Sequence, residues 1–161
     1  MKKKRGQLQI SFGMIFSIIL IIAFVAVAFY AITKFLCIKN TANIGLFKDG
    51  FGKEIERAYN SEETSSIFSV NLPESIEKVC FADYETGKRG KDKALFDELR
   101  ASKKSNLYFY PLKSCNIPEG FYIKNLDIKE ITKEDNPYCI ENKGKTEIKI
   151  IGYYGNPVKI E

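Results

Sequence analysis

Four cysteines are the residues of this 161-residue chain whose type could support chemistry, and their spacing limits what that chemistry is. They stand at positions 37, 80, 115 and 139, and no two have the Cys-x-x-Cys spacing of zinc sites or thioredoxin-like redox sites. The chain has no histidine to complete a mixed metal site. The remaining chemistry is oxidation to disulfides, which persist in extracytoplasmic compartments.

The sequence leaves the pairing of these cysteines open. Cys37 closely follows the apolar N-terminal segment, so we expect it to be the unpaired one. Among the other three we favour Cys115–Cys139, which closes a loop of about 25 residues and would stabilise the fold by roughly 3 kcal/mol. Cys80–Cys139 is the close alternative, and a third alternative is that all the thiols stay reduced and buried.

The chain lacks a recognisable set of catalytic residues. Without histidine it has no side chain whose unperturbed pKa lies near neutral pH, and no serine or cysteine has an evident base partner. Its carboxylates are scattered through charged stretches that are typical of a solvated surface: Asp83, Asp97, Glu98, Asp127, Glu130, Glu134 and Asp135. We therefore expect a protein that is not an enzyme and that binds no cofactor and no metal.

The element that must position everything else is the apolar stretch at residues 10–32, and no charged residue lies between Arg5 and Lys34. As a helix, these residues cover about 35 Å, which is enough to cross a hydrocarbon core of about 30 Å. An ordinary secretory signal has a shorter apolar core and a small-x-small cleavage site, which this segment lacks. The pattern predicts a retained transmembrane helix at residues 7–34.

The charges around this segment predict its orientation. Four basic residues at positions 2–5 precede it, whereas Lys34 and Lys39 follow it. By the positive-inside rule, the N-terminus is cytoplasmic and the rest of a single-pass membrane protein lies outside. Beyond residue 34, twenty basic residues balance twenty acidic ones, so the net charge of +5 belongs to the anchor and its flank. We expect membrane lipid as a partner and no nucleic acid.

The residues Lys4-Arg5-Gly6-Gln7, directly before the apolar run, carry a family resemblance. This basic pair, glycine and glutamine resembles the class III signal peptide of archaeal type IV pilins and archaellins. The resemblance implies that a prepilin peptidase cuts between Gly6 and Gln7, so that residues 1–6 are a leader. It also implies that the apolar segment forms the N-terminal half of a long helix and that other pilin-like subunits are filament partners.

Two functions follow from these observations. The first is a pilin-like membrane-anchored surface protein, processed by a prepilin peptidase and assembled into a filament. Pilins usually carry a glutamate at the fifth mature position, where this chain has Ser11, or Gly13 in a shifted alignment. The alternative is therefore a single-pass membrane protein whose ectodomain binds a partner without forming a filament.

Residues 35–66 connect the membrane segment to the rest of the chain. Apolar residues recur there at intervals of three and four, as on one face of a helix: Ile44, Phe47, Phe51, Ile55 and Tyr59. Gly45, Gly50 and Gly52 oppose a helix. We expect either an amphipathic helix that packs on the head or a loose stalk, followed by a polar loop at residues 60–66.

Residues 67–161 predict a small β-rich extracytoplasmic head, so the fold class is α+β. Expected elements are strands at 67–72, 76–82, 107–110 and 122–131, a solvated loop at 85–93, a helix at 94–100 capped by Asp92, and a hairpin joining 138–141 to 146–153. The aromatic residues at 108–110, 121–122 and 153–154 could form a ligand-binding face, but we expect them to fill the core.

The orientation can be tested on intact cells. If the N-terminus is cytoplasmic, a protease added outside should degrade residues 36–161, because the bilayer does not shield them. Complete protection, with digestion only after lysis, would mean the reverse topology.

Overall fold

The computed structural model describes residues 12–99, 104–112 and 120–161. Its elements follow the order α1 (Phe12–Tyr59), β1 (Glu63–Asn71), β2 (Lys78–Phe81), α2 (Phe96–Leu99), β3 (Leu107–Tyr110), α3 (Ile128–Ile131), β4 (Tyr138–Glu141), β5 (Lys145–Tyr153) and β6 (Lys159–Ile160). A long apolar helix followed by a small β-sheet domain confirms the α+β class. The chain divides into two compact units, Met1–Leu36 and Cys37–Glu161.

The described part of the first unit is helical and exposed throughout residues 12–36. Its side chains are almost all apolar, and Phe12, Phe24 and Phe29 are each at least two-thirds exposed. By length and composition, α1 is able to cross a membrane. A helix that is apolar on all sides requires lipid or other apolar surfaces around it.

The second unit contains the end of α1, and here the helix has one buried face. The buried residues are Ile44, Phe47, Phe51, Ile55 and Ala58. This is the stripe that the spacing predicted, so the amphipathic helix is confirmed and the loose stalk is wrong. The helix ends after Tyr59, where the Asn60 side chain donates to the Glu56 carbonyl at 2.8 Å.

Two antiparallel three-stranded sheets pack on this face of α1. One has the order β1–β5–β6 and the other β3–β2–β4. β5 buries every second residue from Thr146 to Gly152, as expected for a strand with one solvated face. In β2, Val79 and Phe81 are fully buried in the same core as the stripe of α1.

The first strand begins earlier than the sequence predicts. Residues 60–66 read as a polar loop, but β1 starts at Glu63 and pairs with β5 in register from Glu63↔Tyr153 to Asn71↔Lys145. The strand can hold many polar side chains because one of its faces is exposed and the inner face is only partly buried. Its partner β5 lies far along the chain, from Lys145 to Tyr153, and local composition does not reveal such a pairing.

The predicted hairpin is wrong, because β4 and β5 belong to different sheets. The Asn142 side chain fixes the turn between β4 and β5, so that β5 does not fold back on β4 as it would in a hairpin. Its amide nitrogen donates to the carbonyl oxygens of Pro73 at 3.0 Å and Ile76 at 2.7 Å. Its oxygen accepts from the Gly144 N–H and the Thr146 hydroxyl, at 3.1 and 3.2 Å. These bonds tie the turn to the segment between β1 and β2.

The predicted strand at residues 122–131 is also wrong. Only an isolated parallel bridge, Leu126↔Val158, forms there, and the segment ends in the short helix α3. Asp127 begins this helix, and its carboxylate accepts from the Glu130 N–H at 3.2 Å. The apolar alternation reflects separate buried contacts by Ile123 and Ile131 rather than a strand.

The helix predicted at residues 94–100 is present as α2, but it is shorter and spans Phe96–Leu99. Position 100 lies outside the described residues. Asp92 does not cap this helix with its side chain. Its carboxylate instead accepts from the Lys78 ammonium at 2.6 Å, while its backbone oxygen accepts from the Leu95 N–H.

The packing of β5 against α1 predicts opposite effects of two glycine substitutions. A Cβ at Gly152 would lie 2.6 Å from the Ala58 carbonyl oxygen, whereas a Cβ at Gly52 would meet nothing within 4 Å. We expect Gly152→Ala to lower the free energy of unfolding by about 1–3 kcal/mol through overpacking. The matched control Gly52→Ala should raise it by about 0.5–1 kcal/mol through helix propensity. Urea denaturation of the detergent-solubilised protein measures both, and an unchanged Gly152→Ala stability would contradict the close approach.

Candidate functional site

The largest feature with functional meaning is the exposed apolar surface of α1. Near the end of the apolar run, the Lys34 ammonium lies 5.6 Å from the centre of the Tyr30 ring. An amphipathic ring beside a cation is typical of the boundary between hydrocarbon and water. The predicted processing residues Lys4, Arg5, Gly6 and Gln7 lie outside the described residues, and so do Ser11 and the predicted leader.

A disulfide links β2, the central strand of the β3–β2–β4 sheet, to its outer strand β4. Cys80 in β2 stands directly opposite Cys139 in β4, their Cα atoms are 4.1 Å apart and their sulfur atoms are bonded. Both residues are buried, with exposures of 0% and 5%. The favoured pairing of Cys115 with Cys139 is therefore wrong, and the alternative pairing is confirmed. Cys115 lies outside the described residues.

Cys37 is also disulfide-bonded, so the expectation that it is the odd cysteine is wrong. The expectation rested on its closeness to the membrane segment. In the structure Cys37 is half-buried and is the first residue of the unit that contains the head. Its backbone oxygen accepts from the Thr41 hydroxyl within the helix at 3.0 Å. No described cysteine is a free thiol, so the alternative of reduced, buried cysteines is wrong as well.

A fully buried asparagine organises the loop that the sequence assigned to solvent. The Asn136 amide nitrogen donates to the Asp83 and Gly87 carbonyl oxygens, both at 2.7 Å. Its oxygen accepts from the Asp83 N–H at 3.1 Å, and its backbone exchanges two hydrogen bonds with Arg89. Asn136 thus holds the loop at residues 83–89 to the start of β4, while residues 85–88 are exposed as predicted.

Asp83 is one of the residues whose backbone Asn136 binds. The residue is only 5% exposed, although the sequence placed it among the solvated carboxylates. Its two oxygens accept from the Glu85 N–H at 2.8 Å and from the Thr86 hydroxyl at 3.3 Å. Both partners lie in the same turn, so the carboxylate serves to close that turn.

Among the described residues of the head, three groups have shifted pKa values, and all three are raised. The pKa of Lys78 is raised chiefly by its hydrogen bond with Asp92, which outweighs the opposing effect of burial. Burial raises the pKa of Tyr108, and burial together with the charges of Asp135 and Glu161 raises that of Tyr138. Each shift moves the group further from neutral pH, so none of them creates a general acid or base there.

The surface offers shallow clefts rather than an enclosed site. One cleft of about 370 Å³ beside α1 is lined by both basic and acidic side chains, among them Lys48, Lys53 and Glu56. Within the described residues, no three His, Cys, Asp or Glu side chains are grouped to hold a metal ion.

The aromatic residues divide between core and surface. Tyr108 and Phe109 are buried, as predicted. Tyr122, Tyr153 and Tyr154 are 67%, 49% and 70% exposed, so the prediction that they fill the core is wrong. Tyr153 ends β5 on its solvated face, and Tyr154 follows in the turn.

No protein-family model, curated protein or solved structure matches the chain. The function therefore has to be inferred from the residues and contacts described above.

The buried disulfide yields a stability prediction. Replacing both Cys80 and Cys139 by alanine should lower the free energy of unfolding by about 4 kcal/mol, because the bond closes a loop of about 60 residues in the unfolded chain. Urea denaturation of the variant and of the oxidised protein measures the difference. Non-reducing peptide mapping should recover the Cys80–Cys139 pair, and a map in which these two residues have other partners would contradict it.

Proposed function

We propose that this protein is a pilin-like membrane-anchored surface protein, with its N-terminus in the cytoplasm and its head outside. The observation that carries the proposal is α1, which runs without interruption from Phe12 to Tyr59. A pilin-like chain requires one long helix whose first half is apolar and whose second half packs on the head. An unrelated anchored ectodomain has no such requirement.

The burial pattern along α1 supports this reading. All side chains at residues 12–36 are exposed, whereas Phe47 and Phe51 are completely buried in the head. The exposed part needs lipid, or the apolar helices of neighbouring subunits, to cover it. The helix therefore has two apolar surfaces. The surface between Ile44 and Ala58 is buried in the head, and the surface of residues 12–36 remains exposed.

The disulfides support an outer location for the head. Cys80 and Cys139 are bonded, and Cys37 is bonded too. Disulfides persist in oxidising surroundings and are rare in the cytosol. The cluster of basic residues at positions 2–5 independently favours a cytoplasmic N-terminus.

A second function remains a candidate because the residues at the start of the apolar segment favour it. Neither Ser11 nor Gly13 is a carboxylate, whereas pilins usually carry a glutamate there. A chain without that glutamate can be processed and anchored without assembling. The second candidate is thus an anchored ectodomain that binds an envelope partner.

Processing by a prepilin peptidase is tested by the substitution Gly6→Val. Glycine gives the backbone the freedom to enter a protease cleft, and a β-branched residue restricts it. We expect the native protein to begin at Gln7 and Gly6→Val to remain six residues longer, still bound to the membrane. Mass spectrometry of the N-terminal peptide from purified membranes distinguishes the two forms.

Gly13→Val is the matched control, because it places the same side chain within the apolar segment and away from the expected cleavage site. It should be processed like the native protein. A native chain that begins at Met1 or Lys2 would rule out the pilin-like function in favour of the plain anchored ectodomain. If processing occurs, electron microscopy of filaments sheared from cells and labelled for the head separates a filament subunit from a processed but unassembled protein.

A further inference from the structure

Cys37 is a disulfide-bonded residue whose partner follows from the other cysteines of the chain. The sequence has four of them, at positions 37, 80, 115 and 139. Cys80 and Cys139 are bonded to each other, and a cysteine forms only one disulfide. Cys37 is bonded as well, and the structure contains one chain, so its partner is the one cysteine that remains. Position 115 lies outside the described residues, and its assignment comes from the sequence.

Cys37 lies on the side of α1 that faces the head. It precedes Ile44, the first residue of the buried stripe, by seven residues, which is about two helical turns and returns to the same face of the helix. Its half-buried position agrees with this placement. Asn40, on the same face, donates to the Ser75 hydroxyl of the head at 3.1 Å.

Noncovalent packing holds residues 37–43 of α1 less firmly than the stripe that follows them. All seven are exposed or partly buried, whereas Ile44, Phe47 and Phe51 are completely or almost completely buried. The hydrogen bond from Asn40 to Ser75 is exposed, so water competes for both partners. A helix segment with few buried contacts opens locally at a low free energy unless another interaction holds it.

We infer that Cys37 is bonded to Cys115 and that this bond holds residues 37–43 of α1 against the head. It forms when both thiols lose their protons and two electrons pass to an external protein disulfide, which is reduced to a dithiol. It closes a loop of about 80 residues in the unfolded chain. The bond requires the proposed outer location of the head, and it does not depend on cleavage of the leader or on assembly into a filament.

Non-reducing tryptic mapping of the native protein from membranes tests the pairing. Trypsin cuts after lysine and arginine, so Cys37 lies in the peptide 35–39 and Cys115 in the peptide 114–124. We expect these two peptides as one linked species that separates on reduction, from a protein that runs as a monomer on a non-reducing gel. Cys80 and Cys139 lie in the peptides 79–88 and 134–143, so each pairing has its own mass.

Any other partner for Cys37 would overturn the inference. Such a result is the peptide 35–39 linked to 79–88, to 134–143 or to a second copy of this chain in a covalent dimer. Free thiols at Cys37 and Cys115 beside an intact Cys80–Cys139 bond would also overturn it, while leaving the outer location of the head in place. Four free thiols would contradict both the bond and that location.

Amide hydrogen exchange of the full-length protein in nanodiscs tests what the bond holds. In Cys37→Ala/Cys115→Ala, the amides of residues 38–43 should exchange at least about tenfold faster, because these turns can open without unfolding the head. Cys80→Ala/Cys139→Ala is the matched control, since it also removes a bond that closes a long loop, and it should leave these amides within about twofold of the native rate.

Equal exchange of residues 38–43 in the two double variants would overturn the inferred role of the bond. Thermal unfolding establishes that both variants are folded. If Cys37→Ala/Cys115→Ala does not fold, the map of the native protein decides alone.

Discussion

The burial of two phenylalanine rings of α1 is the interaction on which the rest of the head depends. Phe47 contacts Phe68 of one sheet and Phe109 of the other, with ring centroids 5.5 and 5.1 Å apart. Phe51 likewise contacts Phe68 and Phe81. These two sheets share no strand, and each has only three. Small sheets need a packed face to be stable, so one face of one helix joins the two sheets and provides the packing for both. The two-sided packing also explains why Gly152 must lack a side chain where β5 meets Ala58.

Polar side chains make hydrogen bonds with the backbone groups that such short strands leave unpaired. Asn106 behaves as an extension of β3, because its amide group donates to the Ile123 oxygen and accepts from the Ile123 N–H, both at 2.8 Å. Asn136 and Asn142 act similarly at the two ends of β4. A buried backbone group without a partner destabilises a fold, so these amides are needed where the ladders end. They therefore contribute to the stability of the head.

Features that depend on local periodicity could be predicted from the sequence, and features that depend on distant pairing could not. The apolar run before Lys34 and the spacing of the stripe ending at Tyr59 each identify helix without knowledge of the fold. The start of β1 at Glu63 depends on a partner strand near the C-terminus, so its serine-rich sequence reads as a loop. The pairing of Cys80 with Cys139 depends equally on the register of β2 with β4, and loop length alone favoured the wrong partner. The burial of these asparagines could not be predicted from the sequence, because asparagine is also common in exposed turns.

The open edge of β1 follows from building the head on a helix. α1 covers one face of the β1–β5–β6 sheet, and a sheet packed in this way does not close into a barrel, which alone removes edges. In a freely diffusing protein, a nine-residue edge with an exposed isoleucine and no internal charge would favour self-association.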